Sequence, residues 1–311
     1  MANDREFEQL VATITARVRE QLGQAETKGP VHSGTPCKAG RGACTGCGWS
    51  VTRRPHDTRK LIDLGASRVA ANSEGLDPKL VRGDLAGYID HTLLKARVSR
   101  DELKTLCAEA AKYKFASVCV NAANVAFCVR ELRGSGVPVC AVVGFPLGAT
   151  TPAAKAFETK EAVRAGASEI DMVINIGALK SRDYSLVLED IQAVVQAAKP
   201  AKVKVIIEAA ELTRDEKIVA CALSKVAEAA FVKTSTGFGP GGATADDVAL
   251  MKAVVGDELE VKASGGVRTA DDADAMIKAG ATRIGASASI VIVQGKKSSG
   301  GGGKRRAAGG Y

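Results

Sequence analysis

Between residues 84 and 295 the chain repeats one pattern: a short apolar run, then a longer stretch whose apolar positions recur at helical spacing. Eight of the short runs read as strands: GYIDHT (87–92), ASVCVN (116–121), PVCAVVGF (138–145), EIDMVIN (169–175), KVKVIIEA (202–209), AFVKTST (230–236), LEVKASG (259–265) and RIGAS (283–287). Their starts lie 22–33 residues apart, room for a strand, a loop and one crossover helix each. Three helical stretches open with a hydroxyl residue three positions before an acid, the signature of a capped start: Ser99 before Glu102, Thr213 before Glu216 and Thr269 before Asp272. Eight such units predict an α/β fold, a closed (β/α)8 TIM barrel. An open doubly wound sheet would carry a glycine-rich phosphate turn after its first strand, and DHTLLK stands there instead.

The rest of the chain divides into three pieces. Residues 1–22 place Phe7, Leu10, Val11, Ile14, Val18 and Leu22 on one helical stripe, with Asn3 and Glu6 as an N-terminal cap. Residues 23–83 form a glycine- and cysteine-containing linker with a further helical pattern, and 296–311, KKSSGGGGKRRAAGGY, read as a flexible, disordered basic tail. With 46% hydrophobic and 4% aromatic residues, the core must be aliphatic. The net charge of +8 suggests nucleic acid only until it is located. Residues 1–83 hold 13 Lys+Arg against 9 Asp+Glu, and 296–311 hold five basic residues and no acid, so the barrel is close to neutral. A nucleic-acid surface is therefore not expected of it. No apolar run reaches 18 residues and MANDREFEQL is not a secretory signal, so no membrane association and a cytoplasmic, reducing location are expected.

In a TIM barrel the working groups lie at the C-terminal ends of the strands. There the chain places Asp90 in DHT, Asp171 in EIDMVIN, Lys233 in FVK and Lys262 in EVK. Alternation along EIDMVIN puts Asp171 on one face, and a carboxylate against the helices would be costly, so it is expected to point into the barrel. Lys233 and Lys262 occupy equivalent points on adjacent strands, where two desolvated ammonium groups disfavour each other's charge. One is then expected to become the neutral amine that attack on a carbonyl needs, with Asp171 moving protons. The bland alternative is a pair of strand-end lysines reaching to solvent, salt-bridged by Asp171. Glycines follow these residues: Gly237 after strand six, Gly265 and Gly266 before Arg268 after strand seven, and Gly285 with Ser287 at strand eight. Loops there commonly bind phosphate through backbone N–H groups.

Taken together, YIDHTLLK, SVCVN, VVGFPLGA, EIDMVINIGALKS, FVKTSTGFG, VKASGGVRT and RIGAS closely resemble the deoxyribose-phosphate aldolases, over about residues 85–295. The resemblance implies a class I aldolase that cleaves 2-deoxy-D-ribose 5-phosphate to D-glyceraldehyde 3-phosphate and acetaldehyde, with no cofactor required for catalysis. By motif, it makes Lys233 the Schiff-base lysine, Lys262 the lysine that tunes it, Asp171 the proton relay and Asp90 an active-site carboxylate. Gly237, Gly265, Gly266, Gly285 and Ser287 match the phosphate-binding positions. Ala288 stands where relatives often carry a second serine, which leaves one phosphate hydrogen bond in doubt, and Cys119 has no required role. A homo-oligomer is expected.

Residues 3–22 resemble the encapsulation peptides that dock cargo enzymes onto bacterial microcompartment shells, by laying an apolar stripe on a partner groove. The alternatives are a helix packed on the enzyme itself or at an oligomer interface, or one lying on a membrane surface. Cys44 and Cys47 form a CxxC pair, and with Cys37 and either His32 or His56 they could hold a structural zinc ion or part of an iron–sulfur cluster. A thiol-bearing linker without metal is the alternative. Two rival functions stand beside the aldolase reading: another lysine-dependent aldolase or transaldolase with a different donor, and a catalytically silent barrel serving as microcompartment scaffold.

Overall fold

The computed structural model describes residues 85–295. Eight parallel strands close into a barrel in sequence order, β1 next to β2 and so on round to β8 next to β1. They are β1 (Ile89–Leu93), β2 (Ser117–Asn121), β3 (Val139–Val143), β4 (Glu169–Val173), β5 (Lys202–Ile206), β6 (Phe231–Lys233), β7 (Glu260–Ser264) and β8 (Arg283–Ala286). Seven fall inside their predicted runs, and β1 runs one residue past its own, to Leu93.

The connecting helices are α1 (Arg100–Tyr113), α2 (Val125–Glu131), α3 (Pro152–Arg164), α4 (Ile176–Lys180), α5 (Tyr184–Ala198), α6 (Arg214–Val226), α7 (Ala245–Val255), α8 (Ala270–Lys278) and α9 (Ser289–Val293). All three predicted capping boxes are formed: Ser99 and Glu102 at α1, Thr213 and Glu216 at α6, Thr269 and Asp272 at α8. Each satisfies backbone N–H groups that the first helical turn leaves unpaired.

One crossover departs from the expected single helix. Between β4 and β5 the chain makes α4, breaks at Arg182 with φ 59°, and restarts at α5. Asn175 and Asp183 supply separate caps, through hydrogen bonds from Ala178 N at 3.0 Å and Leu186 N at 3.1 Å.

The principal core is the aliphatic layer between strands and helices, including Ile170 and Met172 of β4 and Ile191 and Val194 of α5. Inside the barrel, Leu94, Cys119, Cys140 and Val142 form a small apolar cluster with Phe145 against them, and the buried ring of Phe231 faces Lys204 and Arg283. Charged side chains fill much of the rest, and that sets up the site. The 1–22 stripe, the Cys37/Cys44/Cys47 group and the basic tail lie outside the described residues.

Candidate active site

Alternation of side chains turns Asp90, Glu169, Asp171 and Lys204 toward the barrel axis, where Lys233 and Lys262 meet them. Asp171 is at the centre. Its Oδ2 accepts from Lys233 Nζ at 2.8 Å and Lys262 Nζ at 2.7 Å, and its Oδ1 from Lys204 Nζ at 2.9 Å and the Cys140 thiol at 3.0 Å. Asp90 forms the second hub. Its Oδ2 lies 2.5 Å from Lys262 Nζ, while its Oδ1 accepts from Ser117 Oγ and Arg283 Nη1, both at 2.7 Å. Glu169 pairs with Lys204 at 2.6 Å and with Arg283 at 3.0 Å.

These contacts fix charge states. Burial works against ionising Asp171, yet Lys204, Lys233 and Lys262 outweigh it and hold the carboxyl well below the usual range. Asp90 is likewise lowered: Lys262, Lys204 and Arg283 outweigh its burial. Burial alone would also lower Lys262, but Asp171 and Asp90 together raise it well above an ordinary lysine. The mutual repulsion expected from the sequence therefore does not discharge Lys262. It is a clamped ammonium ion, bridging two carboxylates with no solvent exposure.

Lys233 and Lys262 are register partners on β6 and β7 but are placed differently. Lys262 is the middle residue of its strand. Lys233 ends β6 and lines a cavity of about 300 Å³. Both are buried, so neither reaches into bulk solvent as the bland reading required.

Gly237, Gly265, Gly266, Gly285, Ser287 and Arg268 line the same cavity as Lys233. Gly265 and Gly266 adopt φ 83° and 82°, a region that side-chain-bearing residues rarely occupy. Gly285 is required for another reason. A Cβ there would stand 2.9 Å from Ser264 Cβ and 3.0 Å from Lys262 Cε, so only glycine lets β8 approach the clamped lysine. The loops are cross-tied: Ser264 Oγ donates to Ser235 O at 2.6 Å, and Thr234 Oγ1 to Ser264 O at 2.9 Å.

Sequence reasoning missed Lys204, Glu169 and Arg283 as members of the cluster, Lys95 as a residue of the cavity wall, and Glu208. Glu208 sits just past β5 in a left-handed conformation (φ 51°) and accepts from Thr236 N at 3.2 Å and from its hydroxyl, anchoring a cavity residue. A charged letter flanked by aliphatic ones, as in VKV and IIEA, was the available signal.

Among the described residues, one set has ligand atoms close enough for a metal: Cys119, Cys140 and Asp171, within 4.8 Å of one another. It does not fit a cation. Three lysines already occupy the Asp171 carboxylate, and burial pushes the Cys140 thiol well up. Cys119 itself is fully buried in the small apolar cluster, as expected of filler.

The family described as DeoC/LacD family aldolase matches residues 85–296. This chain belongs to that family. Over 213 residues it is 59% identical to the deoxyribose-phosphate aldolase of Clostridium perfringens, covering 68% of this chain and 95% of that one. The Lysinibacillus sphaericus deoxyribose-phosphate aldolase is also 59% identical, with 68% and 96% covered. Among solved structures, the tetrameric deoxyribose phosphate aldolase of Aeropyrum pernix superposes with a TM-score of 0.65 at 32% identity, covering 68% of this chain and 91% of that one. The barrel is thus a DeoC-family lyase scaffold, and no described helix is long and apolar enough to cross a membrane.

Proposed function

We propose that this family member is a Schiff-base aldolase that reversibly cleaves 2-deoxy-D-ribose 5-phosphate to D-glyceraldehyde 3-phosphate and acetaldehyde. The observation that carries the reading is the division of labour between register-paired lysines. One bridges two carboxylates, while the other holds one carboxylate and lines a cavity.

In cleavage, the Lys233 amine adds to C1 of the open-chain sugar. The carbinolamine loses water to give an iminium ion. Asp171, within 2.8 Å of Lys233 Nζ, relays the protons of these steps. Breaking the C2–C3 bond requires loss of the C3 hydroxyl proton. Its electron pair passes into the iminium as an enamine, and glyceraldehyde 3-phosphate departs. Protonation of the enamine carbon and hydrolysis release acetaldehyde and restore Lys233. Lys262, held protonated between Asp90 and Asp171, keeps a positive charge beside the attacking nitrogen. The Gly237, Gly265–Gly266 and Gly285–Ser287 loops, with Arg268, receive the 5-phosphate. With alanine at 288, Ser287 supplies the hydroxyl of that loop. The chemistry runs on protein groups and calls for no metal.

The test is product formation. Incubation with 2-deoxy-D-ribose 5-phosphate should release acetaldehyde and glyceraldehyde 3-phosphate in equal amounts, at a rate unchanged by EDTA. Condensation from dihydroxyacetone phosphate in preference to acetaldehyde would move the assignment to another lysine-dependent aldolase.

The same proposal extends to context. The enzyme works in the cytoplasm as a homo-oligomer, and residues 3–22 dock it on a microcompartment shell, which would confine a small, reactive product. Cys37, Cys44 and Cys47 hold a structural zinc or iron–sulfur site. Fusing residues 1–25 to a fluorescent protein beside shell proteins tests docking: puncta support it, and diffuse fluorescence rejects it.

A further inference from the structure

His91 lies outside the charge cluster, and nothing in the proposed chemistry uses it. Asp90 points to the barrel axis, so alternation turns its neighbour to the helix layer. The ring is 4% exposed and connects three elements. From β1, its Nε2 meets Glu109 of α1 at 2.8 Å and its Nδ1 meets Ser289, the first residue of α9, at 2.9 Å. The ring of Phe115, with its centroid 5.0 Å away, packs against it.

Ser289 Oγ lies 2.9 Å from both His91 Nδ1 and Ala286 O, so its hydroxyl joins the ring to the turn. That chain of bonds spans the turn 286–289, and Ala286 and Ser287 line the cavity together with Gly285. The turn needs an outside anchor, since Ala288 occupies the N-cap of α9 and has no side-chain oxygen to close it. Ser289, fully buried, faces the helix layer and supplies the hydroxyl that is tied down.

We infer that His91 is a positioning residue that holds the β8–α9 turn, through Ser289, in the shape that receives the substrate's phosphate. The inference rests on the phosphate reading of that cavity.

Two substitutions separate the ring's two bonds. His91→Asn keeps a hydrogen-bonding amide near the Nδ1 position, toward Ser289; His91→Gln keeps one near Nε2, toward Glu109. Steady-state kinetics are compared on 2-deoxyribose 5-phosphate and on unphosphorylated 2-deoxyribose. H91Q should raise KM for the phosphorylated sugar about tenfold, roughly the loss of one well-placed hydrogen bond, with kcat within about twofold. Its kcat/KM on 2-deoxyribose should stay within about twofold, and H91N should restore most of the phosphorylated-substrate KM. If H91Q fails to fold, Ser289→Ala releases the same turn and should give the same KM-selective loss. Parallel losses on both sugars, an H91N no better than H91Q, or an S289A indistinguishable from the parent would overturn the role of His91. A parent enzyme with no preference for the phosphorylated sugar would instead show that the phosphate reading had failed.

Discussion

Two buried lysine–carboxylate sites lie on opposite sides of the barrel wall, and only one is placed to do chemistry. In the helix layer, Lys155 of α3 meets Asp190 of α5 at 2.5 Å and donates to Val173 O at 2.8 Å, at the end of β4. Neither side chain touches solvent. Burial dominates there. It lowers Lys155 and raises Asp190, because one partner each does not offset desolvation. Inside the barrel the same residue types behave in the opposite sense. Lys262 is raised and Asp171 lowered, because each of these two has two or more opposite charges in reach. Burial and pairing alone therefore do not mark a catalytic lysine. Connection to a cavity does, and of the lysines in these two sites it is Lys233 that lines one.

Substituting the lysine of each site should separate the two most sharply. Lys233→Met should lower kcat on the order of 10⁴-fold or more while the protein stays folded, measured by acetaldehyde release and circular dichroism. Asp171→Asn should cost about 10²- to 10⁴-fold in kcat as the proton relay is lost. It should also destabilise the barrel, because three lysines lose their common partner. Lys155→Met should do the reverse of Lys233→Met, costing about 3–5 kcal/mol in urea unfolding by stranding Asp190, with kcat of the folded enzyme within a few fold. A large loss of turnover with unchanged stability at Lys155 would erase the distinction between the sites.

The smallest effect concerns acid. The folded values of Asp90 and Asp171 lie below those of the unfolded chain, so their stabilising contribution is complete above about pH 4 and is lost as pH falls through the folded values. Unfolding free energy should therefore decline from pH 4 downward, and less steeply in Asp90→Asn. An unchanged slope in that variant would mean Asp90 is not held as described.

The barrel was readable because its strands, covered on both faces, are short aliphatic runs punctuated at regular intervals. The exception, α4, is five residues long, too short to show helical periodicity, and its break depends on the conformation of Arg182. Alternation also turned Asp171 inward correctly. Sequence spacing gives the face of a strand but not the depth along it. Lys202 and Lys204 share a face of β5, yet Lys202 is exposed at the strand's start and Lys204 is fully buried against Asp171. Lys233 and Lys262 looked equivalent for the same reason, both following a valine near a strand end, and their depths set them apart. His91 gave no signal, because its partners lie 18 and 198 residues away.

The central claim is that Lys233, and not Lys262, is the nucleophile. Borohydride reduction of the enzyme in the presence of acetaldehyde, followed by peptide mass mapping, tests it directly. A reduced two-carbon adduct on Lys233 alone is the predicted result. An adduct on Lys262, or no selective adduct, would contradict the account.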